Sequence, residues 1–172
     1  MNWNYIQPVE IIFGNGKINT LKELSREYKN PILISDPFFL ENGLVEKIKK
    51  LTNLKYVFTD ISQNPDVSQV NLCSSVIREN GIDAIIAVGG GSSLDLAKAA
   101  SIKVEDIEEY HSGKKVVPKQ HIPIIAVPTT AGTGSEVTCV SVLTNRKTGK
   151  KAPIVSDSFY PKQAVIDPEL LY

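Results

Sequence analysis

Two short segments carry the residue types and spacings best suited to chemistry. The first, Gly89-Gly90-Gly91-Ser92-Ser93, follows the apolar run 84–88 and leads into Leu94-Asp95-Leu96-Ala97-Lys98-Ala99-Ala100. That order reads as strand, glycine turn, helix. Successive glycines let a backbone pass close to a bulky anion. A helix starting directly after them presents free N–H groups and the positive end of its dipole to a phosphate, so a pyrophosphate fits this turn. The second segment, Pro128-Thr129-Thr130-Ala131-Gly132-Thr133-Gly134-Ser135-Glu136, follows the run 124–127. The hydroxyls of Thr129, Thr130 and Thr133 can donate to ribose and phosphate oxygens. Two such turns at one edge of a parallel sheet suit a ligand seated beyond the strand carboxyl ends. Each segment also has a plainer reading. Ser92 and Asp95 can form a Ser-x-x-Asp capping box around a tight turn, and the threonines can cap backbone groups within a loop.

Other chemistries find no support. The usual Gly-x-Gly-x-x-Gly fingerprint is broken because Leu94 stands at its third glycine, and neither Gly-Lys-Ser/Thr nor Gly-x-Ser-x-Gly occurs. Cys73 and Cys139 form no Cys-x-x-Cys pair, and His111 and His121 lack helical ligand spacing, which argues against an internal zinc site. Nineteen basic residues against nineteen acidic ones leave a formal charge of zero, so the chain has no overall electrostatic pull toward nucleic acid or an anionic membrane. No apolar run approaches the ~18 residues that cross a bilayer, and the opening MNWNYIQPVE does not resemble a secretion signal. A cytoplasmic address is expected.

The elements that must position the two turns alternate along the chain. At 172 residues, 42% apolar and 22% charged, the chain has the size and composition of one folded domain. Strands are predicted at 9–13, 31–35, 54–59, 84–88 and 122–127. Several are apolar throughout, as parallel strands covered on both faces should be. A helix is predicted after Gly16, with Ile18, Leu21, Leu24 and Tyr28 inward and a Thr20-x-x-Glu23 capping box. A second places Leu44, Ile48 and Leu51 on one face and Lys47, Lys49 and Lys50 on its solvated side. Asp66 should cap a third, with Val67, Val70, Cys73, Val76 and Ile77 as a core stripe ending at Asn80-Gly81. Residues 105–120 read as a short helix and surface loop, leaving His111 exposed. Residues 137–143 and 152–155 suggest an antiparallel hairpin added to the sheet, followed by a strand at 163–166 and a helix start at Asp167-Pro168. The fold class is α/β: a Rossmann-like, mostly parallel sheet flanked by helices, with that hairpin.

GGGSSLDLAKAA and PTTAGTGSEVT, in this order and separation, resemble the two signature segments of the iron-containing (group III) alcohol dehydrogenase family. PVEIIFGNG, ISDPFF, QNPD and QAVIDPELL extend the resemblance over essentially the whole chain. It implies that residues 1–172 form a dehydroquinate-synthase-like N-terminal domain that binds NAD or NADP. In full-length members a helical domain follows, holding a divalent metal, Fe or Zn, and most of the substrate site. Carried over residue by residue, the resemblance places Gly89, Gly90, Gly91 and Ser92 in the pyrophosphate turn, with Asp95 as the motif acid. It places Thr129, Thr130 and Thr133 in the second cofactor segment, Lys151 within reach of the cofactor's ribose, and Asn64 near the cofactor. Asp36, at a strand end, matches a carboxylate beside the adenine ribose. A carboxylate there accepts hydrogen bonds from the 2′ and 3′ hydroxyls and repels a 2′-phosphate, which predicts NAD over NADP. Asp36 can alternatively cap a helix before Pro37. Lys98 and Glu136 read as a helix surface and a loop anchor.

The expected reaction is alcohol plus NAD going to aldehyde or ketone plus NADH. The family's metal ligands, one Asp and usually three His, all lie beyond the DPEL segment, and the sequence stops at Tyr172. The helical metal-binding domain is therefore expected to be absent from this chain, and the chain alone to be inactive or nearly so. The rival expectation is a stand-alone nucleotide-binding or interaction module that pairs into a homo-oligomer through an exposed sheet edge near the chain start. A dehydroquinate-synthase-like or glycerol-dehydrogenase-like chemistry is a weaker third, because the intact PTTAGTGSE favours the alcohol dehydrogenase branch.

Overall fold

A computed structural model describes residues 1–171. Eight strands run β1 (Glu10–Phe13), β2 (Pro31–Ser35), β3 (Tyr56–Phe58), β4 (Ala84–Gly89), β5 (Ile124–Pro128), β6 (Val140–Asn145), β7 (Lys150–Val155) and β8 (Gln163–Ile166). The helices are α1 (Leu21–Leu24), α2 (Phe38–Glu41), α3 (Leu44–Leu51), α4 (Val67–Glu79), α5 (Gly91–Ser101) and α6 (Glu108–His111). Six strands form one parallel sheet in the order β1-β8-β5-β4-β2-β3. β2, β4 and β5 are buried at every position, which is why their sequences are continuous apolar runs rather than alternating ones.

Alternate residues of these strands feed two cores. One face packs Ile32, Ile34, Ile85 and Ala87 against α4 and α5, and the other packs Leu33, Ile86, Val88, Ile125 and Val127 against α1 and α3. Each fully buried aliphatic side chain contributes about 1.5–3 kcal/mol by leaving water. α3 buries Leu44, Val45 and Ile48 and leaves Lys47, Lys49 and Lys50 in solvent, as its pattern predicts. α4 begins with a complete capping box, although the reciprocal partner of Asp66 is Gln69. It ends at Gly81, whose φ of 59° is the left-handed turn expected there. Cys73 is fully buried in the core, and burial pushes its thiol up from its ordinary range.

The chain changes direction once in a way that matters. The step from β2 to β3 moves outward, and α2 and α3, which it carries, cover one face. The chain then crosses back to β4 on the other side of β2, and α5 covers the opposite face. The carboxyl ends of β2 and β4 therefore flank a topological switch point, where crevices open in doubly wound sheets.

Several local expectations are revised. The segment after Gly16 is a broken coil of 3-10 turns at Lys17–Thr20 and Ser25–Glu27 around the short α1. Ile18, Leu21 and Leu24 recur every three residues, the 3-10 period rather than the α period. Thr20 forms no cap; its hydroxyl donates to the Lys17 carbonyl at 2.7 Å. α2 is the helix that the alternative reading of Asp36, as a cap before Pro37, implied. His111 is buried, with Nε2 3.0 Å from the Leu143 carbonyl oxygen, because α6 packs against the hairpin. That hairpin, β6–β7, is a second two-stranded sheet and does not extend the first. After β8, Asp167 caps a 3-10 turn at Pro168–Leu170 in place of a helix start. Tyr172, within the expected helix start, lies outside the described residues.

Asp167 ties the end of β8 to the turn after β1. Its carboxylate accepts from the amides of Gly16, Ile18 and Glu169 at 3.0–3.1 Å, and the residue is fully buried. Asp167→Ala leaves the buried Ile18 N–H and the partly buried Gly16 and Glu169 N–H groups without this partner and should lower unfolding stability by about 3 kcal/mol, measured by urea denaturation.

Candidate functional site

The β4–β5 register pairs Gly89 with Pro128, and the Thr129 amide donates to the Gly89 carbonyl at 3.0 Å. The ladder thus reaches one residue past the strand ends, so both turns leave the sheet side by side. A Cβ built on Gly90 would lie 3.3 Å from Thr130 Oγ1, and one on Gly91 would lie 3.2 Å from Thr133 Cγ2. The two segments singled out by sequence therefore touch, packed as closely as glycine allows. Gly89 has φ 145°, and a Cβ there would overlap Ser93 Oγ, so only glycine suits the position.

Between the turns and the end of β2 lies a cleft of about 380 Å³, lined by Asp36, Phe38, Phe39, Gln63, Gly90, Ser92, Ser93, Thr129 and Thr130. α5 opens directly into it. Gly90 is its N-cap, no side chain caps the helix start, and its first turn has no acidic residue. The helix start thus offers unshared N–H groups and a positive dipole end toward the cleft. Thr130 Oγ1 is buried without a hydrogen-bond partner in the protein. An orphaned hydroxyl at the mouth of a glycine cradle is a donor set for an anionic oxygen. The residues present fit a diphosphate.

The remaining expected residues divide into three groups. Asp36 lines the cleft and spends one oxygen on its own turn, accepting from the Phe38 amide at 2.9 Å; the cap and the wall are the same residue. Asn64 and Lys151 stand outside the lining but beside it. Thr144 pairs with Lys151 across the hairpin, and its amide donates to the Pro65 carbonyl at 2.9 Å. That places Lys151 Nζ 2.6 Å from Asn64 Oδ1. The Asn64 amide, in the left-handed region at φ 58°, donates to Ser92 Oγ at 3.4 Å. Thr133 accepts the Ser135 amide at 3.3 Å and packs on Gly91.

Asp95 faces away from the cleft. Its carboxylate accepts Ser135 Oγ at 2.7 Å and the Val142 amide at 3.0 Å. The Ser92/Asp95 capping box is therefore not formed. Burial raises the Asp95 carboxyl above its usual range, against those hydrogen bonds and the charges of Lys98 and Lys151. Lys98 is not on a helix surface; it is fully buried beneath the second turn. Sequence reasoning missed Gln63, Phe38, Phe39 and Ser93 as lining residues. Phe38 and Phe39 could have been found from their place directly after the strand-end Asp36-Pro37. Among the described residues no three His, Cys, Asp or Glu side chains converge on a point, so the metal that the resemblance implies finds no donor set in these residues. No described helix is long and apolar enough to cross a membrane.

A six-stranded parallel α/β domain with a glycine-lined cleft at its switch point belongs to the dinucleotide-binding class of folds. The model of the iron-containing alcohol dehydrogenase family matches residues 8–168, and the chain belongs to that family. The sulfoacetaldehyde reductase of Bifidobacterium kashiwanohense, solved in complex with NAD+, superposes with a TM-score of 0.94 at 48% identity, covering 99% of this chain and 47% of that one. The NAD-dependent methanol dehydrogenase of Bacillus methanolicus is 31% identical over 98% of this chain and 46% of its own length. The sulfoacetaldehyde reductase of Bilophila wadsworthia is 32% identical over 95% and 44%. The chain spans a little under half the length of these relatives.

Gly89→Ala forces a side chain into a positive φ and onto Ser93. It should lower stability by about 2 kcal/mol, read as a fall in the urea midpoint at unchanged slope.

Proposed function

We propose that residues 1–172 are the NAD-binding domain of a metal-dependent alcohol dehydrogenase that interconverts an alcohol and its aldehyde or ketone. The observation that carries this reading is the shared cleft: an uncapped α5 start, Gly90 packed closely against Thr130, and the orphaned Thr130 hydroxyl converge on one space. Gly90, Gly91 and Ser92 would hold the diphosphate through backbone amides, with Thr129 and Thr130 closing over it. Asn64 and Lys151 would stand at the ribose beside Ser92, and Asp36 at the adenine ribose, with Phe38 as an apolar wall. Thr133 and Asp95 would act through the shape of the turns. A dinucleotide bound there supplies hydride transfer; the chain's own residues bind it, orient it and keep water from its diphosphate.

The metal and the substrate contacts belong, on this reading, to a helical part outside these residues, with the whole acting in the cytoplasm. A sulfonated short-chain aldehyde is the favoured substrate class, since two of the relatives above are sulfoacetaldehyde reductases, one of them 48% identical. Pairing of two copies through the outer edge of β1, where Ile11 and Phe13 are exposed, is a further part of the proposal.

Titration calorimetry of the 172-residue chain at pH 7 should show NAD binding, with NADP weaker by about tenfold, one like-charge contact being worth roughly 1.4 kcal/mol. Asp36→Ser should narrow that preference, and Gly90→Val should abolish binding of both. No binding heat with millimolar NAD overturns the proposal, and unchanged discrimination in Asp36→Ser removes Asp36 from its role.

A further inference from the structure

Lys98 has no exposed surface, yet its ammonium is fully used. Its three N–H groups donate to Ser135 Oγ at 2.8 Å, Thr138 Oγ1 at 3.1 Å and the Val140 carbonyl at 2.9 Å. The first two acceptors end the hydroxyl-rich turn, and the third begins β6. The Ser135 hydroxyl donates in turn to Asp95 Oδ1 at 2.7 Å, and Asp95, one helical turn from Lys98, also holds the Val142 amide. One lysine of α5 therefore fastens the second turn and the hairpin to the helix whose start forms the phosphate cradle.

We propose, on the reading that the cleft binds a nicotinamide dinucleotide, that Lys98 is a positioning residue whose charged ammonium clamps the two turns together, so that the cleft grips its ligand more tightly while that ammonium keeps its proton. A neutral amine keeps two donors for three acceptors, and one buried oxygen of the clamp loses its partner. The loss falls on the segment that carries Thr129, Thr130 and Thr133. A bound diphosphate adds negative charge above the same helix start and so favours the ammonium. Proton uptake and ligand binding are therefore linked.

The charged and titratable groups facing Lys98 are Asp95 on its own helix, Cys139 just before β6 and Glu136 in the turn; Lys151 of β7 acts in turn on Asp95. Burial pushes Lys98 down to about 8, opposed by Asp95, Cys139 and Glu136. The sign separates this role from a merely structural one. Between about pH 8 and the ordinary lysine value of 10.5 the unfolded chain holds a proton that the folded chain has released. Lys98's own contribution to folding stability therefore rises with pH across the window in which ligand affinity falls.

The test is calorimetry of NAD binding to the 172-residue chain between pH 7 and 9.5, repeated at pH 8 in two buffers of different ionisation enthalpy. The NAD dissociation constant should rise up to about tenfold over that range, the equivalent of one pKa unit of coupling, with net proton uptake at pH 8. Lys98→Met should bind more weakly at pH 7, with a flat profile and no uptake, while Cys139→Ser should keep the slope. Absence of uptake in the unaltered chain, or a slope that survives in Lys98→Met, overturns the proposal; the first measurement needs no variant to fold. If NAD fails to bind at all, the cofactor reading falls. Amide exchange at Val142 then still decides the clamp, which is overturned unless Lys98→Met accelerates it.

Discussion

The cleft depends on a continuation of the β4–β5 ladder. The Thr129 amide bonds to the Gly89 carbonyl, so two backbones that would otherwise diverge at the strand ends leave the sheet in step. Side chains at residues 90 and 91 would crowd them, since a Cβ there would come within 3.3 Å of Thr130 and 3.2 Å of Thr133. Close approach of main chain to main chain is the constraint, and the glycines answer it. The helix start of α5, exposed by the same geometry, supplies the electrostatics. A crevice then follows from sheet topology, because Asp36 directly follows β2 on the other side of the switch point.

The polar layer beneath the cleft deals with a different problem. A turn rich in glycine and threonine has little apolar surface with which to hold its shape. Here the interior supplies a Lys–Ser–Asp relay, with both side-chain charges paired to hydrogen-bonding partners rather than directly to each other; Lys98 Nζ and Asp95 Oδ1 are 3.9 Å apart. Burying such groups costs free energy that only full satisfaction offsets. In return the arrangement fixes a single position for the turn, which a greasy contact of the same size would not specify.

The sheet was legible in the sequence because its central strands are buried on both faces, and largely apolar runs rich in isoleucine, such as Pro31–Ser35 and Ala84–Gly89, announce that. Asp66 declared its helix through local capping chemistry. The meeting of the two turns was legible because glycine and hydroxyl residues at strand ends carry meaning over a few residues. What escaped was set by distant partners. Ala97-Lys98-Ala99 reads as a helix face turned to water until the hairpin folds over it. His111 sits in a polar stretch and is buried only because Leu143 arrives to meet its ring. Asp95 fits a capping motif by spacing, yet finds better donors in Ser135 and Val142, some 40 residues away. The three-residue period of Ile18, Leu21 and Leu24 was present in the sequence but was read with the wrong repeat.

The hairpin carries a geometric obligation of its own. Strand residues alternate faces, so Lys151 reaches Asn64 only while Asn145 pairs with Lys150 and Thr144 with Lys151. Adding or removing one residue in the connection at 146–149 would shift this pairing by one and turn the lysine to the opposite face. The loop at 113–121 has no such counting imposed on it by a ladder. Variation in length is thus cheap in one surface loop and disruptive in another only a few residues long.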